Sequence, residues 1–215
     1  MGLLEHTSAY LAGPVELAGP QASDWRNRIT DSLRQMDVIV LNPIQKPEWV
    51  GPSVLREQDD ITSCFRKSLD IEVFGSNSAP EIYEAGAEAL KAQRASRNVC
   101  LRLVKACDWC ICNLPGMQTI GTIEELSILA YREAPVFFVC QKPSMWLISM
   151  FLVSGQDYHN TFFKDEASLM EYLTKIDKGA IPVNPLLWIT RTWGTWKLHK
   201  TGIRGAEHEL QPDKA

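Results

Sequence analysis

The chain has 215 residues, 45% hydrophobic and 22% charged, with a formal net charge of −4. That balance supplies enough apolar side chains for one packed domain and excludes a disordered chain. The acidic charge argues against a protein built mainly to grip nucleic-acid backbone, and no run approaches the roughly 18 apolar residues of a membrane span. In chain order, Ser8-Ala9-Tyr10-Leu11-Ala12 is a short apolar run stopped by Gly13-Pro14. Val38 to Leu41 is a β-branched run stopped by Asn42-Pro43. Both patterns predict buried parallel strands. Between them Ser23 can cap a helix from Asp24 to about Met36, with Trp25, Ile29, Leu33 and Met36 at helical spacing.

Residues 44 to 79 then interrupt the rhythm with Pro47, Pro52 and Gly75. In a compact domain so long a connection is often a lid or binding loop, and Trp49 and Phe65 could stack there on a base. A helix from about Glu81 to Ala95 is followed by a strand at Cys110 to Leu114, a helix from Thr122 to Glu133 and a strand from Pro135 to Val139. Met145 to Val153 is an apolar helix or strand, and Glu166 to Ile176 an amphipathic helix. The tail carries Trp188, Trp193 and Trp196 among Arg191, Lys197, Lys200 and Arg204. Such a mixture can stack bases on a single strand, but more often packs its rings on the body, so nucleic acid is not the expected partner. Alternating strands and helices predict an α/β fold with a doubly wound, Rossmann-like or flavodoxin-like parallel sheet. Ligands of that fold bind beyond the carboxyl ends of the strands.

Six cysteines, at 64, 100, 107, 110, 112 and 140, fall mostly inside apolar runs. They read as reduced, buried thiols. A cytoplasmic protein is expected, since no early stretch combines a basic start, an apolar centre and a cleavage site. Cys107, Cys110 and Cys112 superficially suggest a metal site, but no matched Cys or His pair follows, so no metal or other cofactor is expected.

The segment from Asp108 to Ala130 is a strand, a Gly-containing loop and a helix start. A carboxylate in that helix's first turn feels the positive end of the dipole, which favours an ionised, nucleophilic Glu125. The spacing Thr122-x-x-Glu125 is also that of a capping box, in which the glutamate only satisfies a backbone N–H. Tyr10 can orient a carboxylate through its hydroxyl or simply pack. Gly13 can let backbone approach a ligand or simply make a turn.

Tyr10-Leu11-Ala12-Gly13-Pro14, Trp25-Arg26, Asn42-Pro43 and Gly121-Thr122-x-x-Glu125 before Ala134-Pro135-Val136 together resemble the nucleoside 2-deoxyribosyltransferase superfamily, in order and spacing, over about Ser8 to Ile176. The resemblance implies one such domain over residues 1–180, with 181–215 as a Trp-rich basic extension. It implies N-glycosidic bond transfer or hydrolysis on a nucleoside or nucleoside 5′-monophosphate, with Glu125 attacking the anomeric carbon and Tyr10 supporting it. Gly13, Asn98, Asp108, Gly121, Thr122 and Glu124 are the candidates for substrate binding. Partners are then the nucleoside or nucleotide and a nucleobase, in an oligomer of at least two subunits whose pockets the region after Pro143, with Trp146 and Met150, helps complete. The chain departs from the family in having Asn98 where an aspartate is usual and Met117-Gln118-Thr119 where another acid is frequent. An amide cannot donate a proton as an acid does; Glu124 or Asp108 can supply the missing acid, but Glu124 also reads as a solvated first-turn charge and Asp108 as the residue that ends the preceding helix and opens the strand. A relative that binds nucleotides without turning them over is the alternative.

Overall fold

A computed structural model describes residues 2–14, 20–45, 94–115, 120–153 and 161–183. The connection from 46 to 79, most of the helix expected at Glu81 to Ala95, the segment Met117-Gln118-Thr119 and the tail from 184 lie outside the described residues. The described elements are β1 (Ser8–Ala12), α1 (Pro20–Arg34), β2 (Ile39–Leu41), a helix α2 over 94–106, β3 (Trp109–Asn113), α3 (Ile120–Tyr131), β4 (Val136–Val139), α4 (Met145–Val153), β5 (Phe162–Phe163) and α5 (Glu166–Asp177).

The strands form one sheet in the order β2-β1-β3-β4-β5, every neighbouring pair parallel. This is the doubly wound α/β architecture that the alternation predicts. The chain leaves β1 outward to β2, then returns to the other side of β1 as β3, so the order reverses between β1 and β3. Crevices of that kind hold the ligands of open parallel sheets.

Side chains alternate across the strands and divide the core in two. Tyr10, Ala12, Cys110, Cys112, Val136 and Phe138 pack under α2, α3 and α4 through Leu103, Val104, Leu126, Leu129, Leu147 and Phe151. On the opposite face Ala9, Leu11, Trp109, Ile111, Phe137 and Val139 meet α1 and α5 through Trp25, Ile29, Leu33, Leu169, Leu173 and Ile176. Helices on both faces explain why β1 and β4 read as unbroken apolar runs. The Cys107, Cys110 and Cys112 thiols belong to the first cluster and are buried. Burial pushes Cys107 up to about 11 and the other two well above their ordinary value, so they stay protonated packing groups.

Three elements differ from expectation. Helix α1 starts at Pro20, which places Ser23 inside the helix and not at its cap; proline suits a first helical turn because its missing N–H would have no partner there. Helix α2 runs to 106, well beyond Ala95. Its inner positions are Ser96, Leu103 and Val104, with Cys107 buried just beyond its end, a stripe too short and too mixed to read as an apolar face. Arg132 holds its carboxyl end, with Nη1 donating to Val104 O at 2.6 Å and Nη2 to Cys107 O at 2.9 Å. Strand β5, only two residues long, has no sequence pattern of its own. Among the described residues no helix is long and apolar enough to cross a membrane.

Candidate active site

The site forms at the carboxyl end of β1, beside the point where the strand order reverses between β1 and β3. Gly13 follows β1 with φ +147°, a conformation that side-chain-bearing residues rarely adopt. A Cβ there would lie 2.6 Å from the Asn113 carbonyl oxygen, so the ends of β1 and β3 can approach this closely only with glycine. Pro14 ends the strand, and β1 cannot continue into the space beyond the sheet.

Tyr10 points from mid-β1 towards α3 and is completely buried. Its hydroxyl donates to Glu125 Oε1 at 2.6 Å, joining residues 115 positions apart. A phenol donating to a carboxylate at this distance is a charge-assisted bond. Burial raises the Tyr10 pKa well above 10, and the neighbouring Glu125 charge raises it further. The phenol is therefore a proton donor in this bond at every pH near neutrality. Glu125 is only partly buried.

The capping-box reading of Glu125 does not hold. Thr122 is already helical, the described helix beginning at Ile120, and the first turn contains no acidic residue. Glu125 consequently sits in the second turn, where the helix dipole has weakened. Its position is set instead by Tyr10 and by the packing of Leu126 and Leu129 on the sheet.

A further residue was not singled out from the sequence as part of this site. Arg26, on α1, is wholly buried; its Nη2 donates to Gly13 O at 2.9 Å and its Nε to Leu11 O at 3.3 Å. Its guanidinium carbon lies 4.5 Å from the centroid of the Trp25 ring. Burial lowers its pKa to about 10, while Tyr10 and Glu125 act in the opposite direction. The signal was there: Arg26 stands three residues before Ile29 and seven before Leu33, on the helix face that becomes core.

The other candidates divide by position. Gly121 and Thr122 lie in the first turn of α3, close in sequence to Glu125, with Thr122 buried and Gly121 exposed. Among the described residues nothing lies within 4 Å of where a Gly121 Cβ would be, so packing does not explain that glycine. Glu124 points elsewhere, its carboxylate paired with the Arg97 guanidinium through Nε to Oε2 at 2.9 Å and Nη2 to Oε1. Asn98 is exposed on α2, next to Arg97. Asp108 is not brought to this site. It lies at the opposite, amino end of the sheet, where its Oδ2 accepts from Ser8 N at 2.7 Å and Ser8 Oγ at 2.8 Å. That lock ties the start of β1 to the start of β3 and suits a structural acid.

Among the described residues no three His, Cys, Asp or Glu side chains gather as a metal-binding group. A partly exposed carboxylate, held by a buried phenol beside an open-faced glycine, can act as a nucleophile towards an electrophilic carbon delivered to the crevice. No protein-family model matches the chain, and no curated protein matches it.

Proposed function

We propose that this chain cleaves or exchanges the N-glycosidic bond of a nucleoside or nucleoside 5′-monophosphate by a retaining mechanism, with Glu125 as nucleophile. The observation that carries the reading is the 2.6 Å hydrogen bond from the buried Tyr10 hydroxyl to Glu125, formed beside the β1/β3 crevice. The ordered resemblance to nucleoside 2-deoxyribosyltransferases, which places the nucleophile and its supporting aromatic residue at these two positions, adds to it.

In the first step a Glu125 oxygen forms a bond to the anomeric carbon as the bond to the base nitrogen breaks, and its electron pair leaves with the base. Tyr10 orients the carboxylate through its other oxygen, keeping the attacking one in line. In the second step water or another nucleobase attacks the same carbon from the face the first base left. The ester bond breaks, its electron pair returns to Glu125, and the attacking water or base N–H releases its proton to solvent. Among the described residues Glu124 is engaged by Arg97 and Asp108 lies at the far end of the sheet, so neither of these two carboxyls supplies the proton of the departing base.

We place this chemistry in the cytoplasm, in keeping with the buried free thiols. We also expect at least a dimer, with α4 contributing the exposed Met145 and Trp146. The experiment is a panel of nucleosides and their 5′-monophosphates, with and without free base, followed by chromatography. Base release by the wild-type protein and none by Glu125→Gln supports the reading. Tight nucleotide binding without turnover selects the binding-only alternative, for which the exposed amide of Asn98 in place of an acid speaks.

A further inference from the structure

We infer that Arg97 is a positioning residue for Glu125: its guanidinium fork on Glu124 sets the rotation of the first turns of α3, and with it the direction in which the neighbouring Glu125 carboxylate points. This role deepens the N-glycosidic reading and rests on it, since attack in line requires a carboxylate held in one direction.

The start of α3 is thinly packed. From Ile120 to Glu125 only Thr122 is buried, Ile120 and Gly121 are exposed, and the other buried positions, Leu126 and Leu129, come later. Glycine in the first turn leaves the backbone more freedom than alanine would. Hydrophobic contact therefore fixes the later turns of the helix better than the stretch that leads to Glu124 and Glu125. Two polar links hold that stretch. Successive helical residues point about 100° apart. Glu125 accordingly reaches the sheet, where Tyr10 donates to its Oε1 at 2.6 Å. Glu124 reaches α2, where Arg97 Nε donates to its Oε2 at 2.9 Å and Nη2 to its Oε1. Either link alone leaves the helix start free to pivot about it; two links in such different directions do not.

The anchor on α2 is itself tied to α3 a second time. Both helices pack on one face of the sheet and both end at its amino edge, α2 just before β3 and α3 just before β4. There Arg132, one residue beyond α3, donates to Val104 O at 2.6 Å and to Cys107 O at 2.9 Å. An arginine thus joins the two helices near each end. Arg97 is exposed, so its pair with Glu124 contributes little to stability. A guanidinium bonded through two N–H groups nevertheless restricts orientation in a way that a single point charge does not.

The test needs no substrate, so its failure is distinct from failure of the proposed reaction. Double-mutant cycles in urea denaturation measure whether the Tyr10–Glu125 bond depends on Arg97. A merely structural staple adds its own cost to that of Tyr10→Phe, whereas a positioning residue lowers what Tyr10→Phe costs. Tyr10→Phe is expected to reduce the folding equilibrium constant about tenfold in the unsubstituted protein, but about threefold or less in Arg97→Gln and in Glu124→Gln. Arg28→Gln is the control, because the Arg28–Glu166 pair is likewise exposed and two-pronged but joins α1 to the start of α5. Equal costs of Tyr10→Phe with and without Arg97 overturn the inference, and so does an equal reduction in Arg28→Gln. Should Tyr10→Phe not fold, the Glu125 carboxyl resonance decides, in protein carrying ¹³C-labelled glutamate and identified by its loss in Glu125→Gln. Arg97→Gln and Glu124→Gln remove opposite charges, so a field effect moves that resonance in opposite directions, whereas loss of the fork moves it in the same direction. Movement in the same direction is expected; opposite movements, or none, overturn the inference.

Discussion

Tyr10→Phe removes one oxygen atom and leaves the ring where it is, fully buried between β2 and β3 in the sheet and beneath α3. The lost interaction is a hydrogen bond of 2.6 Å to a carboxylate. Bonds to charged partners contribute about 1.5–3 kcal/mol. Glu125 is only partly buried, so the lower end applies: roughly 1.5 kcal/mol in folding stability. If the same bond aligns the carboxylate for attack, a loss of about that size in the transition state lowers kcat about tenfold. KM should change little, because the hydroxyl is directed at Glu125 and not at the space beyond the sheet. Urea denaturation gives the first quantity, and steady-state kinetics on whichever substrate the panel identifies gives the second. A Tyr10→Phe protein with the expected stability loss and wild-type kcat would show that the pair is structural, and would refute the reasoning.

Three further outcomes are expected. Gly13→Ala, forced into a positive φ with its methyl 2.6 Å from Asn113 O, should lose about 2 kcal/mol or more of stability; an unchanged urea midpoint contradicts the close approach of β1 and β3. Asp108→Ala strips the acceptor from Ser8 N and Oγ and should cost about 3 kcal/mol, with kcat per folded molecule unchanged. A selective loss of turnover would return Asp108 to the site. The buried thiols make stability fall in alkali: unfolded cysteines release protons near pH 9, whereas folded Cys107 holds its proton to about 11 and Cys110 and Cys112 hold theirs higher. Their contribution is fully present below pH 9 and is lost as the pH rises above it, at roughly 4 kcal/mol per pH unit for the three together. Urea midpoints between pH 8 and 10.5 measure this. A dependence that Cys110→Ala/Cys112→Ala leaves equally steep contradicts it.

Much of the scaffold was legible in the sequence because a parallel sheet covered on both faces demands continuous apolar strands. Ser8 to Ala12 matches β1, and Glu166 to Ile176 matches α5 to within one residue. Boundaries failed where a local signal had a competitor. Ser23 has the chemistry of a cap but lies inside a helix begun by Pro20, and Thr122-x-x-Glu125 has the spacing of a capping box but lies inside a helix already formed at Ile120. Of the site, Glu125 and Tyr10 could be named one by one, yet their contact could not, since 115 residues of chain separate them and only the β1/β3 pairing brings them together. Arg26 was legible as half of the Trp25-Arg26 motif but not as a neighbour of the site, because an arginine on an otherwise apolar helix face reads as a fault in the pattern. Its reason, the carbonyls at the end of β1, exists only in three dimensions.

The central claim, that Glu125 becomes covalently bound to the sugar, is tested most directly by mass spectrometry of the trapped enzyme. The protein is incubated with the 2-fluoro analogue of the substrate that releases base in the panel, since fluorine beside the anomeric carbon slows an oxocarbenium-like second step. It is then quenched in acid and digested. The account predicts one added glycosyl group on the peptide containing Glu125, absent from Glu125→Gln. Base release with no adduct, or an adduct on another residue, would contradict it.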